Sequence, residues 1–170
     1  MQSEGTSGSR AWKRLGACYR GGAKTSFTVW APKATHVEVH IVAPGDRTEP
    51  LQAVDSGYFY GEIDNVEPGT LYKFRLDKTN EFPDPASRWQ PLGVHGPSSV
   101  AALKFAWTDE RWTGVPLRDY IIYELHVGTF TPQGTFDGII ERLDYLKELV
   151  VTAVELRPVT QFPGSRNLGL

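Results

Sequence analysis

A chain of 170 residues with 40% apolar and 22% charged residues is globular in composition, sized for one ordinary domain or a small domain plus part of another. A formal net charge of −2 with no long basic run argues against nucleic acid or an anionic membrane surface as the main partner. The single cysteine, Cys18, excludes an intrachain disulfide framework or a thiolate metal site, and no segment reaches the ~18 apolar residues of a membrane span.

The first residues, Met1 to Arg10, are polar and Ser/Gly-rich with no apolar core of a signal peptide behind them, so a soluble cytoplasmic protein is expected. Residues 1–22 read as a loosely held N-terminal arm. From Thr25 the pattern is β throughout. Ser26 to Ala31 alternates and is stopped by Pro32. His36 to Val42 places Val37, Val39 and Ile41 on one face, with His36, Glu38 and His40 on the other. Tyr58 to Ile63 follows the turn signal Asp55-Ser56-Gly57. Leu71 to Leu76 follows Pro68-Gly69, with Tyr72, Phe74 and Leu76 facing one way. Short alternating strands at such intervals predict an all-β, immunoglobulin-like sandwich over residues 23–105. Within it Pro83, Pro85, Pro91 and Pro97 predict a stiff, irregular path from Phe82 to Ser99, and Val100 to Phe105 reads as a returning last strand.

Residues 106–119 read as a linker, and residues 120–170 as a different architecture. Tyr120 to Val127 is a β-branched and aromatic run with the composition of a strand buried on both faces. Thr135 is placed to cap a helix in which Phe136, Ile139, Ile140, Leu143, Leu146 and Leu149 recur at helical spacing. Val151 to Leu156 reads as a second buried strand, halted by Pro158. A strand, a helix and a strand in this order make a parallel pair with a right-handed crossover. Two parallel strands and a helix cannot bury themselves, so the unit is the opening of a larger parallel fold or leans on something else.

No residue stands out as catalytic. Glu124 and Glu155 lie in apolar strands that would be neighbours at ~4.8 Å, close to the ~5–5.5 Å between the two carboxylates of a retaining glycosidase. Neither sits at the C-terminal tip of its strand, where barrel active sites are assembled, so paired or hydrogen-bonded interior groups are the preferred reading. His36 and His40 share a strand face without an acidic or His partner at ligand spacing, which favours a solvated face over a metal site. His126 reads as a structural residue. No metal site and no cofactor is expected. Five Trp leave material for sugar-stacking surfaces; Trp30, Tyr58 and Tyr60 are candidate platforms, with packing inside the sandwich as the preferred alternative.

Several blocks carry a family resemblance. Pro83-Asp-Pro-Ala-Ser-Arg-Trp-Gln-Pro-Leu-Gly-Val-His-Gly-Pro-Ser98 resembles the interdomain signature of malto-oligosyltrehalose trehalohydrolases. Tyr123 to Phe130 resembles that family's first barrel strand; Gly134 to Asp137, Leu143 to Leu149 and Val159 to Asn167 continue the match. Phe27 to Pro32 resembles the opening strand of an early-set, family-48 carbohydrate-binding domain. The sandwich and first strand alone would also fit glycogen branching or debranching enzymes. The resemblance implies an early-set sandwich followed by the first β-α-β unit of an incomplete (β/α)8 barrel, in an α-amylase-type glycoside hydrolase family. It implies retaining cleavage of the α-1,4 bond next to a terminal trehalose, in carbohydrate metabolism. The implied catalytic carboxylates stand on the fourth, fifth and seventh barrel strands and have no counterpart in these residues, so the chain alone is expected to be inactive. α-Glucan or maltooligosyl-trehalose is the implied partner, but no substrate-binding residue is assigned. The departures are Val150, where the family usually has Gly as helix terminator, Arg157 for Met, and Leu168-Gly169-Leu170 for Trp-Gly-Tyr. A stand-alone α-glucan-binding or interaction module is the alternative function.

Overall fold

The structure is a computed structural model that describes residues 14–102 and 105–164. They divide between residues 104 and 105 into two compact units.

The first unit is built from strands whose alternation sorts side chains between core and surface. Strand β2 (Lys24–Trp30) lies between β1 (Gly16–Gly21) and β6 (Tyr58–Asp64), and the short β5 (Gln52–Ala53) completes the sheet in the order β1-β2-β6-β5. The second sheet runs β4 (Arg47–Pro50), β3 (Val37–Ala43), β7 (Leu71–Leu76), β8 (Asn80–Phe82), and β9 (Ser98–Ser99) also pairs with β7. All pairings in both sheets are antiparallel. Phe27, Val29, Phe59 and Ile63 of one sheet meet Val37, Val39, Ile41, Tyr72 and Phe74 of the other, with Leu51, Val66 and Val100 closing the core. Each such side chain contributes about 1.5–3 kcal/mol of burial. Tyr72 stands edge-on to both Phe27 and Phe74, with ring centroids 5.0 and 5.9 Å away. Gly61 sits opposite Phe27 because a Cβ there would come within 2.8 Å of the Leu51 side chain.

This is the immunoglobulin-like sandwich that the strand pattern predicts, with two differences. Gly16–Gly21, expected to belong to the N-terminal arm, forms β1 and pairs with β2 from Gly16↔Thr28 to Gly21↔Lys24. Its glycines and mixed composition hid it: Gly21 pairs with Lys24, and the two-residue turn between them is Gly22-Ala23, both at positive φ, which makes a tight hairpin rather than looseness. The remainder of the expected arm, residues 1–13, lies outside the described residues. The returning strand is shorter and earlier than expected, at Ser98–Ser99; Val100 continues it by donating its N–H to Thr70 O and accepting the Gly69 N–H, and Leu103 and Lys104 lie outside the described residues.

The second unit carries the β-α-β unit. β10 (Ile122–His126) and β11 (Ala153–Arg157) are parallel and in register from Ile122↔Ala153 to His126↔Arg157. Between them lie the short helices α1 (Val127–Phe130), α2 (Phe136–Ile140) and α3 (Leu143–Glu148). Thr135 caps α2 as its position predicts, accepting the Gly138 N–H at 3.1 Å. The helix expected to be continuous is broken at Glu141–Arg142, where Arg142 N–H bonds to Ile139 O, a three-residue rather than four-residue step. The apolar face is used only in part: Ile139 and Leu146 pack with Leu125, Val127, Val154 and Leu156, while Phe136, Ile140, Leu143 and Leu149 remain exposed. Nor are the strands buried on both faces. Tyr123, Leu125, Val154 and Leu156 face the helices, and the opposite face presents Ile122 at 61% exposure beside Glu124 and Glu155.

Helix α3 ends in a Schellman motif: Val151 N–H reaches Leu146 O at 3.2 Å and Val150 N–H reaches Lys147 O at 2.9 Å. The motif requires a left-handed residue at its second-last position, and that residue is Val150, with φ of 63°. A β-branched side chain in this conformation costs about 1–2 kcal/mol, and Val150 is too exposed to offset it by packing. Val150→Gly is therefore expected to stabilise the second unit by about 1 kcal/mol, read as slower native-state hydrogen exchange of the α3 amides. Faster exchange would show that the Val side chain has a compensating role.

Candidate functional site

The segment Phe82 to Val94 is irregular, yet it is held as firmly as a strand. Asp84 is 2% exposed, and its Oδ2 accepts the Tyr72 hydroxyl at 2.5 Å, while its Oδ1 accepts the Ala86 N–H at 2.8 Å. Its own N–H donates to Ser98 Oγ at 3.0 Å, and Ser87 N–H closes a turn onto Asp84 O. Burial pushes the Asp84 carboxyl above the usual carboxylate range, against the Tyr72 and Ala86 hydrogen bonds and the Arg88 charge. Burial also drives the Tyr72 hydroxyl far up, reinforced by Asp84, so it remains a donor. Arg88 reaches the other way and donates to Ala17 O and Leu15 O, each at 2.9 Å, clamping β1. Gly16 must be glycine here: a Cβ would stand 2.8 Å from Ala86 O and 2.9 Å from Asp84 Oδ2, and its φ is positive. The Asp84-to-Arg88 block thus ties three strands together.

Beside this tie lies an open cleft of about 480 Å³. Its floor is the core-facing ends of β2 and β7, Val29, Ala31, Phe74 and Leu76; its walls are Trp30, Phe82 to Pro85, Ser87, Gln90 and Val94. Trp30 is 58% exposed and Phe82 50%. The preferred reading of Trp30 as a packed core residue is thereby corrected. Phe27 and Val29 take the inward phase of β2, so the last residue of the strand falls on the outward phase. Its indole is still fixed, because Nε1 donates to Ser56 O at 3.1 Å. Tyr58 stands opposite it in register and is half-buried. Tyr60, also half-buried, donates to Glu62 Oε1 at 2.6 Å; burial first, then Glu62, pushes its hydroxyl up to about 12.

The other sequence candidates land elsewhere. Glu124 and Glu155 are direct neighbours in register but exposed, which corrects the expectation of interior groups. Arg157 holds both, with Nε 3.2 Å from Glu124 Oε1 and Nη2 2.8 Å from Glu155 Oε1. Two exposed carboxylates tied to one arginine in this way form a surface ion-pair cluster rather than a nucleophile and acid. His126 uses Nδ1 to accept the Gly128 N–H at 3.1 Å and so caps α1.

His40 is not on a solvated face. Its side chain is 14% exposed, with Nδ1 2.8 Å from Glu81 Oε1 and Nε2 2.7 Å from Asp46 Oδ1. Both partners come from outside its own strand, one from β8 and one from the β3–β4 turn, which strand spacing alone does not reveal. Arg75 adds Nε and Nη2 to the same Glu81 oxygen at 2.8 and 2.6 Å. Among the described residues no three His, Cys, Asp or Glu side chains are grouped to hold a metal ion, and no helix is long and apolar enough to cross a membrane.

Residues 14–90 match the family model of carbohydrate-binding module 48, the isoamylase N-terminal domain. Over 144 residues the chain is 48% identical to the malto-oligosyltrehalose trehalohydrolase of Saccharolobus solfataricus, an alignment covering 85% of this chain and 25% of that protein. Among solved structures it superposes with a TM-score of 0.79 and 40% identity on a putative alpha amylase from Salmonella typhimurium, covering 91% of this chain and 26% of that one. A pullulanase from Anoxybacillus sp. LM18-11, complexed with maltotetraose, follows at a TM-score of 0.70 and 27% identity, covering 88% and 26%. The chain spans about a quarter of the length of the curated relatives it matches.

Two outcomes are expected from this geometry. Asp84→Ala strands the buried Tyr72 hydroxyl and the Ala86 N–H, costing about 2–4 kcal/mol in urea unfolding of the sandwich, whereas Tyr72→Phe costs less because Asp84 keeps its backbone donor. Equal costs would mean the hydrogen bond does not organise the turn. The second concerns Glu81: burial opposes its ionisation, but the Arg75 hydrogen bond and then His40 outweigh this and hold its carboxyl below the usual range. A depressed folded value contributes stability above the unfolded Glu value of about 4.3 that is lost as pH falls through the folded one. Glu81→Gln is therefore expected to flatten the acid limb of sandwich stability; an unchanged limb would place the titrating groups elsewhere.

Proposed function

We propose that this chain, which corresponds to the N-terminal quarter of malto-oligosyltrehalose trehalohydrolases and carries a carbohydrate-binding module 48 domain at residues 14–90, serves a glycoside hydrolase of that type. The reaction is hydrolysis of the α-1,4-glucosidic bond next to the terminal trehalose of a maltooligosyl-trehalose, releasing trehalose. The single observation that carries the reading is 48% identity sustained over 144 residues, a span that reaches across both units. The 27% identity to a pullulanase makes a debranching or branching role the weaker alternative.

In this reading the described residues are scaffold and substrate-holding surface rather than catalytic centre. The second unit supplies the first two parallel strands of the barrel. Its exposed Ile121, Ile122, Ile140 and Leu143 are surfaces that further barrel elements would cover, which also weighs against a stand-alone binding module. The carboxylates that act as nucleophile and acid would be supplied by barrel strands beyond these two, and Glu124 and Glu155, exposed and both engaged by Arg157, take neither role.

The test is a transplant. Residues 14–164 replace the corresponding quarter of the Saccharolobus solfataricus trehalohydrolase and, in parallel, of a branching enzyme. Trehalose release from maltooligosyl-trehalose by the first chimera, with no activity in the second, is the expected result. Restored branching without trehalose release would overturn the assignment.

A further inference from the structure

We propose that His40 is a proton-operated latch on the β3–β4 turn: with both ring nitrogens protonated it ties the turn to β8, and on losing a proton it releases the turn. The latch is independent of the functional reading above. It rests on a contact at each nitrogen. Nδ1 lies 2.8 Å from Glu81 Oε1, and Nε2 lies 2.7 Å from Asp46 Oδ1. A carboxylate oxygen only accepts, so each contact needs an N–H on the ring, and only the imidazolium carries two. The neutral ring has one N–H. Its other nitrogen would point a lone pair at a carboxylate at hydrogen-bond distance, so one of the two contacts must open.

Glu81 is the fixed side. It stands opposite Arg75 in the β7–β8 register, and the oxygen that faces His40 also takes Arg75 Nε at 2.8 Å and Nη2 at 2.6 Å. Although burial opposes its ionisation, Arg75 and then His40 keep this carboxyl below the usual range, so it stays an acceptor. Asp46 is the loose side: its side chain is 88% exposed on the Pro44-Gly45-Asp46 turn, where water can replace the ring. Arg75 Nη2 also approaches Nδ1, but a contact of 3.4 Å is too long to offset a bare Nδ1 facing Glu81 at 2.8 Å. The neutral ring therefore keeps Nδ1–H on Glu81 and gives up Asp46.

The other groups on this outer face of the sheet come from three strands. Glu38, paired with His36 at 3.1 Å, shares β3 with His40; Lys73 stands opposite His40 on β7, two residues from Arg75; and uncharged Thr48 stands opposite it on β4. What the latch controls is the tip of the hairpin. The next residue after Asp46 opens β4, and Arg47 Nη2 donates to Asp64 O at 2.6 Å and Asn65 O at 3.3 Å, at the end of β6 in the other sheet. The turn is thus pinned at two neighbouring residues, and only the His40 pin depends on a proton that imidazole chemistry can remove. Its loss frees the tip while β4 keeps its pairing with β3 from Ile41↔Arg47 to Glu38↔Pro50.

The experiment titrates the full chain from about pH 5 to about pH 9, which brackets the imidazole range. Imidazole nitrogen chemical shifts read the protonation of each His40 nitrogen. Hydrogen exchange of the Gly45 to Thr48 amides, corrected for its intrinsic pH dependence, reads the order of the turn. At the acid end both His40 nitrogens should carry protons. As the ring loses one, the Nδ1–H form should appear and protection of the turn should fall about twofold to fivefold with the same midpoint, the range of an exposed ion pair. Asp46→Asn, a conservative change at an exposed position, supplies an amide that accepts from the imidazolium or donates to a bare Nε2; its turn should stay ordered throughout. The latch is overturned by a neutral ring in the Nε2–H form, or by a ring that keeps both protons across the whole range. It is equally overturned by turn protection that follows the midpoint of His36 or none at all, or by an Asp46→Asn chain that still loosens as pH rises.

Discussion

The buried hydrogen bond between Tyr72 and Asp84 is the constraint on which the first unit depends. A carboxyl at 2% exposure is stable only if its lone pairs are used, and here one oxygen takes the Tyr72 hydroxyl and the other a backbone N–H. That demand places a proline-bounded turn against the core strand β7. Once the turn is there, Arg88 falls within reach of the β1 carbonyls, and Gly16 becomes the only residue type that fits beneath it. A motif of five residues thereby decides the position of the N-terminal strand, the path of the 82–94 segment and the shape of the cleft that the segment walls.

The cleft follows from an incomplete closure. Two antiparallel sheets bury their inner faces along most of their length, but Val29, Ala31, Phe74 and Leu76 at one end are roofed by an irregular proline-rich segment rather than by a strand. Loops can present an amide and a hydroxyl at fixed positions without surrendering them to a ladder, and prolines reduce the entropy of holding them there. The exposed Trp30 at the rim is a consequence of strand phase: with Phe27, Val29 and Ala31 committed to the core, the residue between the last two must face out.

The second unit is governed by a different economy. Its two strands hide one face under α2 and α3 and leave the other to Glu124, Glu155 and Arg157, which satisfy each other. An arginine shared by two carboxylates turns what resembles a catalytic pair into a surface ion-pair cluster. The strained Val150 at the end of α3 shows how strongly the helix-terminating geometry is imposed: the two carbonyl contacts of the Schellman motif form even with a β-branched residue in the left-handed position.

How much of this was legible beforehand differs by feature. Strands β2, β3, β6, β7, β10 and β11 and the cap at Thr135 were readable from the order of residues, set by local rules of alternation and capping that need no knowledge of the neighbours. The left-handed position at Val150 was legible only through the resemblance, where the family usually has Gly. What escaped was every feature made by contact at a distance. β1 was hidden because its glycines read as looseness, when they are what a tight hairpin and a close-packed turn require. The His40 network was hidden because Glu81 and Asp46 come from a different strand and a turn. The meaning of Asp84 was hidden because nothing in its local sequence names Tyr72 as partner. The sequence by itself determined the longer alternating strands, the inward phase of their apolar residues and the family the chain resembles. Only the tertiary structure decided that Trp30 faces outward on a tethered edge, that Glu124 and Glu155 are bridged, and that a cleft exists at all, because those depend on which elements are brought side by side.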